Sequence, residues 1–179
     1  IEEAYFDEQG KPCRSNEQIA KCTAKYDERG NRIETAYLDE QGKPCLCNGG
    51  FAKITAKYDE RGNKIEEVFF DKEGKSCLNN QGHAKLTAKY DERGNEIEHT
   101  HYDEQGRICK GNGNYAKVIK KYDERGNQIE QAYFDEKGKP CLSNNGYANW
   151  IAIYDERRNI IKLTGYDEEG NISSIQVYK

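Results

Sequence analysis

Ile1, Ile33, Ile65, Ile97, Ile129 and Ile161 recur at a spacing of 32 residues, and most of what lies between them recurs too. The chain therefore reads as one repeat array: five full copies (1-32, 33-64, 65-96, 97-128, 129-160) and a segment 161-179 that is a partial copy or a C-terminal cap. Periods of this size belong to solenoids, propellers and related arrays, in which each unit packs mainly on its neighbours. The period also argues against catalysis. An active site needs unlike residues converging once, whereas an array presents the same residues again and again. No enzymatic activity and no cofactor are expected.

Within each copy two stretches have the form Asp-x-x-Gly, as in Asp39-Glu40-Gln41-Gly42 and Asp59-Glu60-Arg61-Gly62. Asp in first place bonds its own backbone two residues on, and Gly in fourth place supplies the positive φ that closes a turn through a bulge. The pattern recurs at Asp7, Asp27, Asp71, Asp91, Asp103, Asp123, Asp135 and Asp167, and only Arg158, following Asp155, breaks it. Between turns the residues alternate and favour aromatic and β-branched types, as strands do. The fold class is all-β: tandem antiparallel β-hairpin repeats forming an elongated twisted sheet or a β-solenoid.

Turn chemistry sets register, and register assigns faces. With Asp59 opposite Asn63, Lys57 pairs with Ile65, Ala56 with Glu66, Ile54 with Val68 and Ala52 with Phe70. One face then holds Ala52, Ile54, Ala56, Tyr58, Val68 and Phe70 as a core. The other, mixed in character, holds Lys53, Thr55, Lys57, Ile65, Glu67 and Phe69. The second turn pairs Leu38 with Pro44, Tyr37 with Cys45 and Ala36 with Leu46, which adds Leu46 to the core. Translational regularity requires an even number of strands per copy, so the segment 43-46 is either a third strand of a meander or a crossover.

Acidic and basic residues nearly cancel, for a net charge of -4. Interspersed charge leaves no sustained positive face for a phosphate backbone, so no nucleic-acid partner is expected. No apolar run approaches a membrane span, so no membrane insertion is expected. The chain begins at Ile1, in phase with its own repeat, and is read as a piece of a longer protein. Thirteen tyrosines and five phenylalanines at regular positions argue for a packed structure despite the charge.

Seven cysteines raise the question of disulfides. Cys13, Cys45, Cys77, Cys109 and Cys141 form one column, but copies two strands apart place them roughly 9.6 Å from one another, beyond the reach of a bridge. Free thiols are expected, which points to a reducing compartment. His99 and His101 share a face, with Cys109 opposite His101, and make the one grouping with metal-ligand character. It occurs in a single copy without an evident fourth ligand, so no metal is favoured. The Asp-Gly turns lack the alternating oxygens of a calcium loop.

Variation among copies concentrates after the Cys column, at 14-19, 46-51, 78-83, 110-115 and 142-147, and in the column Glu3, Thr35, Glu67, His99, Gln131, Leu163. The final copy gains apolar residues: Ile153 replaces Lys57 and Lys121, Ile160 replaces Lys64, and Gly165 replaces the aromatic column. Capping by the last strand, Ile172 to Tyr178, is the expectation for a terminal unit.

TAKYDERGNRIE (23-34) and TAKYDERGNKIE (55-66) resemble the YD repeats of bacterial RHS-type proteins, and AYLDEQGKP (36-44) is similar to both that unit and the YYFDxxGK core of choline- and glucan-binding cell-wall repeats. The resemblance implies a bacterial β-hairpin array within a larger modular protein. It implies a surface or secreted location, against the reducing compartment suggested by the thiols, and the compartment stays open. The expected function is a scaffold or protein-interaction surface whose partner is another protein or a neighbouring domain. The alternative is carbohydrate or cell-wall binding. Candidate contacts are the strand aromatics Tyr5, Tyr37, Phe69, His101 and Tyr133 and the loop residues Phe51, His83, Tyr115 and Tyr147; the competing reading is that these rings pack repeat on repeat.

Overall fold

The computed structural model describes every residue except Asp7, Pro12, Arg14, Asn16, Glu17, Gln18 and Lys179. The turn expected at Asp7 and most of the variable segment 14-19 thus lie outside the described residues. The elements are β1 (Glu2–Ala4), β2 (Lys21–Tyr26), β3 (Arg32–Leu38), β4 (Lys53–Tyr58), β5 (Lys64–Phe70), β6 (Lys85–Tyr90), β7 (Glu96–Tyr102), β8 (Lys117–Tyr122), β9 (Gln128–Phe134), β10 (Asn149–Tyr154), β11 (Ile160–Tyr166) and β12 (Ile172–Val177). Strand order in the sheet follows chain order from β1 to β12, the order of an open antiparallel meander. The chain divides into two compact units, Ile1–Thr87 with Tyr102–Arg107 and Ala88–His101 with Ile108–Lys179.

Each Asp-Gly turn closes the same way. Asp59 N–H donates to the Asn63 carbonyl (2.9 Å), and Gly62 N–H donates back to the Asp59 carbonyl (3.1 Å). Asp59 Oδ1 accepts from the backbone of Arg61 (2.9 Å) and Asn63 (2.8 Å), and Oδ2 accepts from Asn63 Nδ2 (2.9 Å). That side-chain hydrogen bond from Asn63 holds the Asp59 carboxyl below its ordinary range. Gly62 has φ 84°, as the turn requires. Arg158 takes the same place with φ 69°. Its strain is offset by hydrogen bonds from Nε to Asn127 Oδ1 (2.8 Å) and from Nη2 to the Arg125 carbonyl (2.9 Å).

The register expected from these turns is off by one residue. Tyr58 lies opposite Lys64, but Lys57 lies opposite Glu66, so Ile65 is an extra residue, a β-bulge. Ile33, Ile129 and Ile161 are passed over in the same way in their hairpins. The bulge flips the face of everything beyond it. Ile54 pairs with Phe69 and Thr55 with Val68. One face therefore carries Ala52, Ile54, Ala56, Glu67 and Phe69, and the other Lys53, Thr55, Lys57, Glu66, Val68 and Phe70. The aromatic column sits with the core alanines, and Phe69 is only 5% exposed.

The segment after each second Asp-Gly turn resolves the question of strand number. Leu38 bridges Pro44, and Cys45 N–H donates to the Tyr37 carbonyl (3.0 Å). Tyr37 N–H, on the same edge, donates to the Ala52 carbonyl (2.8 Å). The residues 44-45 and 52-55 thus lie along one edge of β3, and 46-51 is a loop pushed out between them. Its own turn repeats the earlier geometry: Cys47 N–H to Phe51 carbonyl (2.9 Å) and Gly50 N–H to Cys47 carbonyl (3.0 Å). Each copy contributes two strands, as translation demands, of six or seven residues except for the three-residue β1. Leu46, expected in the core, belongs to this loop and is 41% exposed. Ala52 bonds both ways, its N–H reaching the Phe70 carbonyl (2.8 Å). It and its counterparts Ala20, Ala84, Ala116 and Ala148 are all buried.

Copies are tied to one another through backbone carbonyls. Tyr58 Oη donates to Arg32 O (3.1 Å), Tyr122 Oη to Glu96 O (3.1 Å) and Tyr154 Oη to Gln128 O (2.9 Å). Arg29 Nη1 donates to Glu60 O (2.8 Å), and Asn80 N–H reaches the loop carbonyl of Gly49 (2.8 Å). In the last copy β12 pairs along β11 with no loop pushed out, Gly165 lying opposite Ser174 and Tyr166 opposite Ile172, with Ser173 as a bulge.

Candidate functional site

The candidate contact residues alternate in space although they come from separate elements. In the first unit the ring of Phe51, from the loop, lies between Tyr37 of β3 (centroids 5.8 Å apart) and Phe69 of β5 (4.8 Å); His83, from the next loop, follows Phe69 at 5.6 Å. In the second unit Tyr115 lies between His101 of β7 (5.4 Å) and Tyr133 of β9 (5.0 Å). Edge-on and tilted contacts at such distances, and the stacked pair His101–Tyr115, suit the quadrupoles of aromatic rings. His83, His101 and Tyr133 are buried with Phe69, whereas Tyr5, near β1, is 38% exposed. Gly49 makes room for this arrangement, since a Cβ there would meet Phe51 Cε1 at 2.4 Å, and Gly113 does the same beneath Tyr115. Tyr147 lies instead on Gly165 of β11, where a Cβ would come 2.2 Å from Tyr147 Cδ1.

Beside the rings runs a polar row that contains the variable column. Glu96 Oε1 meets His99 Nδ1 (2.8 Å) and Lys120 Nζ (2.7 Å). The His99 hydrogen bond lowers the Glu96 carboxyl to about 2 against the cost of burial, with Lys120 adding to the effect. In the next copy Gln128 Nε2 donates to Gln131 Oε1 (2.6 Å), and Gln131 Nε2 donates to Tyr133 Oη (2.6 Å). Lys120 escaped the reading of the sequence, although it interrupts a column of alanines, Ala24, Ala56, Ala88 and Ala152.

His99 and His101 do come together, stacked at 5.3 Å with 25° between their planes. His101 Nδ1 lies 3.3 Å from the Tyr115 carbonyl, and Cys109 contributes its backbone N–H to the His101 carbonyl (3.1 Å). Among the described residues no group of three or more His, Cys, Asp or Glu side chains could hold a metal ion. All the described cysteines are free thiols, and Cys141 is buried against Val118 and Tyr133.

The opposite face carries lysines on two kinds of seat. Lys25, Lys57, Lys89 and Lys121 pair with Glu34, Glu66, Glu98 and Glu130 at 2.7–2.9 Å. A second column sits four residues earlier on the same strands. Lys53 Nζ lies over the Phe70 ring (4.5 Å) and Lys85 Nζ over Tyr102 (4.4 Å), while Lys21 reaches Glu2 and Lys117 reaches Glu98, each at 2.9 Å. In the last copy this column holds Asn149, opposite Tyr166. Here an open cleft of about 500 Å³ is lined by Glu130, Phe134, Pro140, Asn149, Ile151, Tyr166 and Glu168, among others. No helix among the described residues is long and apolar enough to cross a membrane.

No family profile and no curated protein sequence matches the chain. Among solved structures, similar chains occur in the Tc holotoxin pore of Photorhabdus luminescens in a TccC3 mutant form (15% identity, TM-score 0.42, 87% of this chain covered). Others occur in TcdB2-TccC3-TEV (15%, 0.42, 88%) and TcdB2-TccC3 (15%, 0.36, 88%). The present chain spans 9%, 9% and 10% of the lengths of those chains, respectively.

Proposed function

We propose that this chain is a non-enzymatic β-repeat module, a scaffold or protein-interaction surface within a larger bacterial protein. One observation carries the reading: the side chains that recur along the array are used to close its hairpins and to join its copies. The Asp-Gly turns close hairpins and the tyrosine hydroxyls donate to carbonyls of the preceding copy, while diversity is left to the protruding loops with their rings and to the polar row beside them. The recurrent TAKYDERGN segment, with its likeness to YD repeats, supports the bacterial and modular part of the proposal.

The test is removal of one copy in phase, residues 33-64. A scaffold loses one increment of stability and of urea dependence, and the shortened chain still unfolds as an ordered array. Loss of the folded state on removing that copy would oppose the reading.

A further inference from the structure

We infer that the cleft between Asn149 and Tyr166 binds a primary ammonium on an unbranched aliphatic stem, in the place that a lysine of the chain itself fills in every earlier copy. Two groups receive that lysine elsewhere. One is the ring on the facing strand, as Phe70 receives Lys53 and Tyr102 receives Lys85. The other is the diagonal carboxylate, as Glu2 receives Lys21 and Glu98 receives Lys117. Both are kept in the last copy, as Tyr166 and Glu130, and both line the cleft. Only the lysine is exchanged, for Asn149.

The remaining chemistry suits the same ligand. Glu98 accepts Lys89 on Oε1 and Lys117 on Oε2, while Glu130 uses Oε2 for Lys121. Its other oxygen, Oε1, makes no ion pair among the described residues, whereas Glu98 Oε2 takes Lys117. Phe134, Pro140 and Ile151 give an apolar wall along which a methylene stem packs. An ammonium is then held by ring face and carboxylate together, and a neutral group of the same shape gains only the wall. The site does not depend on the scaffold reading, and it stands or falls on a different measurement.

The experiment is an amide and ring-proton NMR titration of the full chain with 1,5-diaminopentane and, separately, with a short peptide containing a single lysine. A peptide with norleucine in place of lysine is the control. Expected are shifts confined to Asn149, Ile151, Tyr166 and their neighbours, with affinity near the millimolar range and about tenfold weaker for the norleucine peptide. The probe that binds more tightly identifies the source, a free diamine or a lysine side chain of another polypeptide. Asn149→Lys restores the residue of the other copies and is expected to abolish the shifts while leaving the fold intact. Glu130→Gln is expected to weaken binding about tenfold. Equal binding by the norleucine peptide, unchanged binding by Asn149→Lys, or no localised shifts with either amine would overturn the proposal.

Discussion

Tyr147 lies against Gly165, so close that a Cβ on the glycine would come 2.2 Å from Tyr147 Cδ1 and 2.9 Å from Ser174 Oγ. In earlier copies that strand position carries an aromatic ring. The glycine lets the last loop ring occupy the space itself, and it ends the alternation of strand and loop rings.

Gly165→Ala should therefore destabilise the protein by about 1–3 kcal/mol through overpacking. Tyr147→Ala in the same chain should recover part of that loss, because the ring is the first group the methyl meets. Urea unfolding of both singles and the double mutant measures the coupling, and strictly additive losses would show that the two residues do not compete for space.

Glu96 gives the stability a pH dependence at the acid end. Its folded-state pKa of about 2 lies below the ordinary value of 4.5, so its contribution is complete above about 4.5 and is lost as pH falls toward 2. Because the carboxylate is partly exposed, the contribution is discounted to about 1 kcal/mol. Acid unfolding of Glu96→Gln should show a flatter slope across this window than the parent, and an identical slope would refute the assignment.

The tyrosine hydroxyls should be worth about 1 kcal/mol each. Tyr58→Phe and Tyr122→Phe remove hydrogen bonds to Arg32 O and Glu96 O without altering the ring. The two lie in different compact units, so their effects on the chemical unfolding midpoint should add.

Cys141 should be the last described thiol to react with iodoacetamide in the native state. It is 4% exposed, and burial pushes its thiol up from the ordinary range. Mass spectrometry of partially alkylated protein checks this; early modification of Cys141 relative to Cys45 or Cys77 would contradict the packing.

Much of the fold is legible before any coordinates. Asp in first place and Gly in fourth predict the hairpin turns, because the carboxylate and the positive φ act locally. Register is another matter. Ile65 has the chemistry of an ordinary strand residue, and its role as a bulge depends on how the whole hairpin twists, so the faces of β5 come out reversed. The third turn of each copy is hidden for a different reason. Its first residue is Cys47, Asn79, Gly111 or Ser143, and the constant feature is the fourth place, Gly50, Gly82, Gly146 and Asn114, the last at φ 67°. The candidate rings are visible as columns in the sequence, but their interleaving is a product of the pushed-out loop and follows from no spacing along the chain. The cleft at Asn149 becomes visible only once Lys53 and Lys85 are seen over their rings.

The loop ring of one copy rests against the strand ring of its own copy and that of the next, as Phe51 does with Tyr37 and Phe69. A genetic exchange in phase among the copies from 33-64 to 129-160, each of which has a loop ring and a strand ring, rebuilds that same three-ring junction across the new seam. Array length is thereby open to change by unequal recombination, one whole unit at a time, while a frame slip of any other size strands a ring without its neighbour.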